Sequence, residues 1–232
     1  MSKLEIIPIE GLPEISPGDD LIEIIGQDET ARSGDILVIT QKIISKAENQ
    51  IVEVDPSNPL SHKPLVEKES VRVLRRRGDL IISETKHGFV CANAGIDLSN
   101  VKRGQAALLP DDSDRSARRM RDGLKGKFNL DVGVIISDTF GRPWRRGLTD
   151  VAIGSAGVLP ILDLRGSPDA FGREMQVTEV ALVDELSSAA ELVMGKSSGI
   201  PVAIIRGADR NWFGSGSVKD GIVRDPKDDL FR

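Results

Sequence analysis

The chain has 232 residues, of which 39% are hydrophobic and 29% charged, and its formal net charge is −5. These values are typical of a globular protein, and the acidic balance argues against a dedicated nucleic-acid binder. No apolar run approaches the ~20 residues of a membrane span, and prolines and glutamates interrupt the N-terminal segment, so we expect no membrane association, no signal peptide and a cytoplasmic location.

The cysteine and histidine content limits the chemistry that the chain can support. Cys91 is the only cysteine, and His62 and His87 are the only histidines. An internal disulfide and a metal site built from cysteine or histidine are therefore excluded. Any metal must be held by oxygen atoms, which favours Mg²⁺ or Mn²⁺.

Apolar periodicity predicts both strands and helices, and hence an α/β fold with mixed sheets. The predicted strands cover residues 4–9, 36–40, 80–82, 89–92, 106–109, 132–136, 149–153, 157–164 and 201–205. The predicted helices cover residues 21–25, 41–48, 67–77, 111–127 and 177–194. We expect residues 1–232 to form a single unit of two α/β lobes, with a boundary near residue 128.

The strand at 132–136 ends in a polar group that suits a hard cation. This strand is apolar on both faces and is followed by Ser137, Asp138 and Thr139, which place a carboxylate beside hydroxyl groups. Residues 93–100 form a second polar group after another strand and offer Asp97 as a carboxylate ligand. The alternative for that second group is an Asx-type turn. We favour a cation site because the two groups supply paired acids.

The loop between Gly141 and Gly147 concentrates positive charge around one aromatic ring. Arginine forks bind carboxylates and phosphates, and tryptophan suits a flat ring, so this loop is predicted to bind an acidic substrate. The alternatives are a solvated connection between two strands, or a salt-bridge cluster with a local acid such as Asp150. The predicted substrate-binding residues are Arg142, Trp144, Arg145 and Arg146.

Two segments have features of phosphate sites. The junction between strand 36–40 and helix 41–48 places helix N–H groups and Lys42 or Lys46 where a phosphate could bind; solvated lysines are an equally good reading. Residues 190–197 fit a relaxed Walker A pattern with alanine at the first glycine position. Most of that segment ends a predicted helix, whose C-terminal partial charge repels phosphate. We therefore reject a P-loop there.

Taken together, these segments resemble the coenzyme F420-0:L-glutamate ligase family, the γ-glutamyl ligases of deazaflavin coenzyme synthesis. The resemblance runs nearly end to end, and the order and spacing of the segments support it. It is most specific at residues 93–100, NAGIDLSN, and residues 138–147, DTFGRPWRRG. Further similar segments are residues 10–13, 44–48, 202–206 and 229–231.

The resemblance implies an activity, cofactors and an assembly. Such a ligase uses GTP and Mg²⁺ or Mn²⁺, with a monovalent cation such as K⁺ as a possible addition, to join L-glutamate to the phospholactyl tail of coenzyme F420-0. The reaction passes through an acyl phosphate and gives an amide. The resemblance also implies an intertwined homodimer with the site between lobes. Some members carry a fused C-terminal flavin-type domain, and we expect none in this chain.

The resemblance also assigns roles to individual residues. Asp97 and Asp138 match ligands of one metal and Thr139 a ligand of a second, and we expect Asp97, Asp138 and Lys46 to be catalytic. Some members have an acidic second-metal ligand where this chain has Lys196, so either a second metal is lost or Lys196 supplies its charge. The predicted nucleotide-contact residues are Leu12, Pro13, Glu14, Ile15, Gln41, Lys42, Lys46, Asn100, Met194, Gly195, Lys196, Ser197, Ser198, Gly199 and Ile200.

Two other functions compete with the ligase. A metal-dependent nucleotide phosphohydrolase would use the same acids and lysines. A non-catalytic nucleotide- or metabolite-binding regulator would explain the lysines and arginines, but not the paired acids on two separate loops.

Overall fold

The computed structural model describes residues 3–230, and its strands and helices confirm the α/β class. Phe231, in the tail that resembles the family, lies outside the described residues. The strands are β1 Glu5–Pro8, β2 Ile36–Thr40, β3 Ile51–Glu53, β4 Ser70–Arg77, β5 Leu80–Thr85, β6 Val90–Ala92, β7 Gln105–Ala107, β8 Gly133–Arg142, β9 Arg145–Ala156, β10 Leu162–Asp163, β11 Glu179–Val180 and β12 Val202–Arg206. The α-helices are α1 Leu21–Gly26, α2 Gln41–Ala47, α3 Lys63–Glu69, α4 Ser113–Phe128, α5 Leu182–Met194 and α6 Val218–Gly221.

The central sheet has the strand order β1–β12–β2–β8–β9. Strands β2 and β8 are parallel, with Thr40 opposite Ser137, and the other neighbouring strands are antiparallel. Parallel strands end at the same edge of a sheet. The register therefore places the start of α2, which follows Thr40, close to the polar residues at positions 137–139.

Both faces of the central sheet are covered, which explains the continuous apolar runs of β2 and β8. Leu37 belongs to a core shared with α1, α2 and α4 on one face. Ile36 belongs to a second core shared with α5 on the other face. Successive side chains of a strand point to opposite faces, so a strand between two cores needs apolar residues at every position.

Residues 51–107 form two smaller sheets beside the central one. Strands β3 and β7 pair with each other, and β4, β5 and β6 form a three-stranded sheet. A small core that includes Val66, Ile81 and Ile96 lies within this part of the chain.

A lobe boundary near residue 128 and the homodimer both stay predictions. None of the helices between residues 3 and 230 is long and apolar enough to cross a membrane.

The helix predicted at residues 67–77 is wrong. Helix α3 occupies Lys63–Glu69, and the chain continues as strand β4, which pairs antiparallel with β5. Gly78, at a φ of +56°, forms the turn between these strands. The β-branched Val71 and Val73 favour a strand, and the pairing with β5 satisfies the backbone groups that a helix would have satisfied locally.

The helix predicted at residues 177–194 begins later than expected. Helix α5 begins at Leu182, because Glu179–Val180 pairs with Leu162–Asp163 as β11 and β10. The strand predicted at 157–164 is reduced to those two residues of β10. In both segments the pairing of β10 with β11 determines the structure, and the local apolar pattern does not.

The segment predicted as a loop at residues 141–147 is the tip of a long β-hairpin. Strand β8 continues past residue 136 to Arg142, and β9 begins at Arg145. The reversal takes place at Pro143 and Trp144, and Trp144 adopts a φ of +57°. The antiparallel pairing places Thr139 opposite Asp150, so the hairpin brings together two residues that are separated by the arginine-rich tip.

Gly154→Ala is expected to destabilise the fold. A Cβ at Gly154 would lie 2.4 Å from the carbonyl carbon and oxygen of Ser113, where α4 begins against β9. Backbone cannot yield as a flexible side chain can, so we expect a loss of about 1–3 kcal/mol in the free energy of unfolding, measured by chemical denaturation.

Gly126→Ala is the matched control for this substitution. A Cβ at Gly126, within α4, meets nothing within 4 Å. We expect this variant to gain about 0.5–1 kcal/mol through helix propensity. Equal stability of the two alanine variants would show that α4 and β9 pack too loosely at this point to resist a methyl group.

Candidate functional site

A cavity of about 600 Å³ opens beside the central sheet, where β2 ends and β8 continues into the hairpin. Its size falls in the range of roughly 300–1,000 Å³ that is common for small-molecule sites. The wall is built from an N-terminal segment, the start of α2, the loop after β6, the middle of the β8–β9 hairpin and the segment after α5. The predicted site residues in this wall are Leu12, Pro13, Glu14, Ile15, Gln41, Lys42, Lys46, Asp97, Asn100, Asp138, Thr139, Gly195, Lys196, Gly199 and Ile200.

Three predicted nucleotide residues do not line the cavity. Met194, the last residue of α5, is fully buried in the core on that face of the sheet. Ser197 and Ser198 are exposed, and the Ser198 hydroxyl donates a hydrogen bond to the Met194 carbonyl. The cavity also contains acids that were not predicted as site residues, Asp150 and Glu191.

The side chain of Gln41 is buried in the cavity wall, and one of its polar atoms has no partner. Gln41 is 2% exposed, and its Oε1 accepts a hydrogen bond from the Ser45 hydroxyl at 2.7 Å. Its Nε2 has no hydrogen-bond partner among the described residues. A buried donor without a partner is costly, so a hydrogen bond to this amide would be favourable.

Two lysines of α2 each form an ion pair with an acid from another part of the cavity wall. Lys42 forms an ion pair with Asp97, and the Lys46 Nζ lies 2.5 Å from Glu14 Oε1. The Lys46 side chain is 11% exposed, whereas that of Glu14 is 75% exposed. The glutamate can therefore move into solvent far more easily than the lysine.

The environments of Asp97 and Asp138 push their pKa values in opposite directions. Burial alone would raise the pKa of Asp97, but the Lys42 ammonium and hydrogen bonds from Ser99 outweigh it, so the pKa is lowered. Burial raises the pKa of Asp138 to about 7, and the neighbouring carboxylates of Asp97 and Asp150 add to the increase. Within residues 3–230, no lysine or arginine forms an ion pair with Asp138.

These residues fit a hard divalent cation. Asp138 is a carboxylate without a paired cation among the described residues, and the charged groups that act on it include the Asp97 and Asp150 carboxylates and the Lys42 ammonium. No cluster of three or more His, Cys, Asp or Glu side chains in the described part of the chain could hold a metal by itself. Mg²⁺ commonly keeps several water ligands beside one or two carboxylates, and substrate phosphates replace some of that water, so two aspartates suffice as the protein ligands.

Asp150, Glu191, Thr139 and Lys196 form a second polar cluster in the cavity wall. Asp150 is 2% exposed and accepts hydrogen bonds from the Thr139 and Ser137 hydroxyls. The Lys196 ammonium donates to Asp150 and also forms an ion pair with Glu191. The signal that could have identified Asp150 is its place opposite Thr139 in the hairpin, which needs the register of β8 and β9.

The predicted arginine clamp lies away from this cavity. Arg142, Arg145 and Arg146 are exposed at the hairpin tip, and Trp144 is 80% exposed. None of these four residues lines the cavity of its own chain. Their role in binding an acidic substrate stays a prediction.

Comparison with known proteins identifies the family. A family model described as F420-0:Gamma-glutamyl ligase matches residues 11–207. The chain is 41% identical to proteins named Coenzyme F420:L-glutamate ligase from Methanopyrus kandleri and Methanothermobacter thermautotrophicus. The alignments cover 99% of this chain and 97% and 99% of those two proteins. The resemblance seen in the sequence is confirmed: the chain belongs to the F420-0:gamma-glutamyl ligase family.

Proposed function

We propose that this chain is a GTP-dependent ligase that adds L-glutamate to the phospholactyl tail of coenzyme F420-0, with Mg²⁺ or Mn²⁺ as its metal. The names of its relatives support the coenzyme and the amino acid. The single observation that carries the chemistry is the meeting of Lys42, Lys46, Asp97 and Asp138 in one cavity. That combination suits a phosphate group together with a hard cation.

The nucleotide would bind along the segment 12–15 and α2. The Lys46 ammonium is available to a phosphate oxygen once Glu14, which is exposed, moves away. The unpartnered Gln41 Nε2 offers a hydrogen bond to an oxygen atom of the nucleotide. These two side chains would thus bind and orient the phosphates, and positioning is most of what phosphoryl transfer requires from a protein.

Asp97 and Asp138 would hold the divalent cation. When bound, the cation offsets negative charge on phosphate oxygens. Asp138 would contribute an ionised carboxylate, because a bound cation favours the charged form that burial otherwise disfavours. Lys42 fixes the orientation of Asp97 through their ion pair.

The bonds exchanged in the reaction follow from the chemistry of an acid–amine ligase. The terminal carboxylate of coenzyme F420-0, the precursor, attacks the γ-phosphorus of GTP. GDP leaves with the electrons of the broken P–O bond, and an acyl phosphate is formed. The amine of glutamate then attacks the acyl carbon, loses a proton and releases phosphate, which gives the amide. The chain would contribute by positioning the phosphates and the metal through Lys46, Asp97 and Asp138.

Product analysis distinguishes this ligase from its competitors. The protein is incubated with GTP and Mn²⁺, with or without coenzyme F420-0 and L-glutamate, and the products are identified by mass spectrometry. GDP that appears only with both co-substrates, together with a glutamylated product, supports the ligase. GDP released without them indicates a phosphohydrolase, and no GDP under either condition indicates a nucleotide-binding regulator.

Lys46→Met is expected to weaken GDP binding by about 10-fold to 100-fold, because it removes a charge-assisted hydrogen bond to phosphate and keeps most of the stem. Calorimetric titration with GDP and Mn²⁺ measures the change. Glu14→Gln is the matched variant: it releases Lys46 from its ion pair, so GDP affinity should stay the same or increase. If both variants bind GDP as the wild type does, the Lys46–Glu14 pair is only a structural contact.

A further inference from the structure

The ammonium group of Lys196 is surrounded by three oxygen atoms. Its Nζ lies 2.6 Å from Thr139 Oγ1, 2.8 Å from Asp150 Oδ1 and 2.7 Å from Glu191 Oε1. We refer to Thr139, Asp150 and Glu191 as the oxygen cage. An ammonium group has three N–H donors and no acceptor, so the cage uses every donor of Lys196.

The oxygen cage contains two carboxylates and no positively charged residue of its own. The side chains of Asp150 and Glu191 are 2% and 18% exposed, so water and salt screen their repulsion only weakly. Lys196 forms ion pairs with both carboxylates, which places its positive charge between them.

The backbone around Lys196 holds it in this position. Gly195 ends α5 with a φ of +61°, a conformation that favours glycine, and this turn directs Lys196 back toward Glu191 on the same helix. The Asn100 amide donates a hydrogen bond to the Lys196 carbonyl at 3.3 Å. The turn at Gly195 and the hydrogen bond from Asn100 thus fix the backbone that positions the Lys196 ammonium in the cage.

We propose that Lys196 is the resident cation of the oxygen cage, so that a divalent cation binds only at Asp97 and Asp138. Carboxylate and hydroxyl oxygens are also the ligands that hard divalent cations prefer. A second divalent cation would have to displace an ammonium that is tethered beside the cage and therefore present at a high effective concentration. The statement about Asp97 and Asp138 rests on the proposed function, whereas the statement about the cage does not.

The number of Mn²⁺ ions bound per chain tests this proposal without any catalytic assay. Metal-free protein is titrated with Mn²⁺ alone, and free Mn²⁺ is measured by electron paramagnetic resonance. We expect one bound Mn²⁺ for the wild type and two for Lys196→Ala, in which the cage oxygens have lost their cation. We also expect Mn²⁺ to raise the melting temperature of Lys196→Ala more than that of the wild type.

Three further variants serve as controls for the count. Lys196→Arg keeps the positive charge and should bind one Mn²⁺, as should Lys102→Ala, which removes an exposed lysine from the same cavity wall. Lys196→Ala combined with Asp150→Asn should return the count to one. If Lys196→Ala does not fold, Lys196→Gln keeps much of the side-chain length, removes the charge and is interpreted in the same way.

The possible outcomes separate this proposal from the proposed function. Two Mn²⁺ on the wild type, or one on a folded Lys196→Ala variant, would overturn the resident cation. No Mn²⁺ on the wild type but one on Lys196→Ala would support the cage and refute the site at Asp97 and Asp138. If the count rises from one Mn²⁺ in the wild type to two in Lys196→Ala but the wild type has no ligase activity, the cage is supported and the proposed reaction is refuted.

Discussion

Asp138→Asn is expected to lower turnover by roughly 100-fold or more, the size of effect seen when a preorganised charge is lost from an active site. The amide keeps the shape of the carboxylate but not the charge that a hard cation requires. Asp138 has no paired cation in the described part of the chain, so its charge is available to the metal rather than used in a structural ion pair. Steady-state kinetics with GTP, precursor, glutamate and a titration of Mn²⁺ measure the change.

The controls for Asp138→Asn separate a metal ligand from a structural residue. Asp97→Asn should show a similar loss of turnover, whereas Asp122→Asn, a change of a 73% exposed acid on α4, should leave turnover unchanged. Circular dichroism should show that all three variants are folded. Wild-type activity of Asp138→Asn at low Mn²⁺ would rule out Asp138 as a ligand.

The contribution of Asp138 to the stability of the metal-free protein is expected to fall as the pH rises from about 4 to about 7. Its pKa is about 7 in the folded chain and 3.8 as the ordinary value. Between these values the folded state binds more protons at this site than the unfolded state, so the free energy of unfolding decreases with pH. Above pH 7 the Asp138 carboxylate is ionised in the folded protein, where burial and the neighbouring carboxylates disfavour its charge.

Asp138→Asn should therefore stabilise the metal-free protein at pH 8. One pKa unit corresponds to about 1.4 kcal/mol, and we expect a gain of about 2 kcal/mol because contact with the open cavity reduces the full effect. Chemical denaturation in a chelator at pH 5, 6, 7 and 8 measures the difference between variant and wild type. Parallel pH profiles would show that Asp138 has an ordinary pKa. Added Mn²⁺ should stabilise the wild type and reverse the difference.

The sequence determined the parts of this protein that depend on local patterns. Residues 36–40 and 132–136 are apolar at nearly every position, which predicts strands buried on both faces, and they are the two parallel strands of the central sheet. The charged helix predicted at 111–127 corresponds to α4. The segments 93–100 and 138–147 are specific enough to indicate the family by themselves, because each concentrates several chemically unusual residues in a short stretch.

Strand β4 and the hairpin tip depend on contacts that local patterns do not contain. The pattern of residues 67–77 predicts a helix, but the partner strand β5 and the turn at Gly78 make most of that segment a strand. The pattern of residues 141–147 predicts a loop, but the pairing of β8 with β9 makes this segment a hairpin tip that does not line the cavity of its own chain; substrate binding there stays a prediction. A strand gains its hydrogen bonds from another part of the chain, so its stability is a tertiary property.

The composition of the site shows the same division. The sequence by itself identified Lys42, Lys46, Asp97 and Asp138, because each lies in the polar segment that follows a predicted strand. Only the tertiary structure brought Asp150 and Glu191 to Lys196, since one acid arrives through the hairpin register and the other through the last turns of α5. Burial, and not residue type, then raised the pKa of Asp138, while the Lys42 ammonium left that of Asp97 below its ordinary value. The sequence thus determined which charges are present, and the packing decided which of them are already paired and which remain for a ligand.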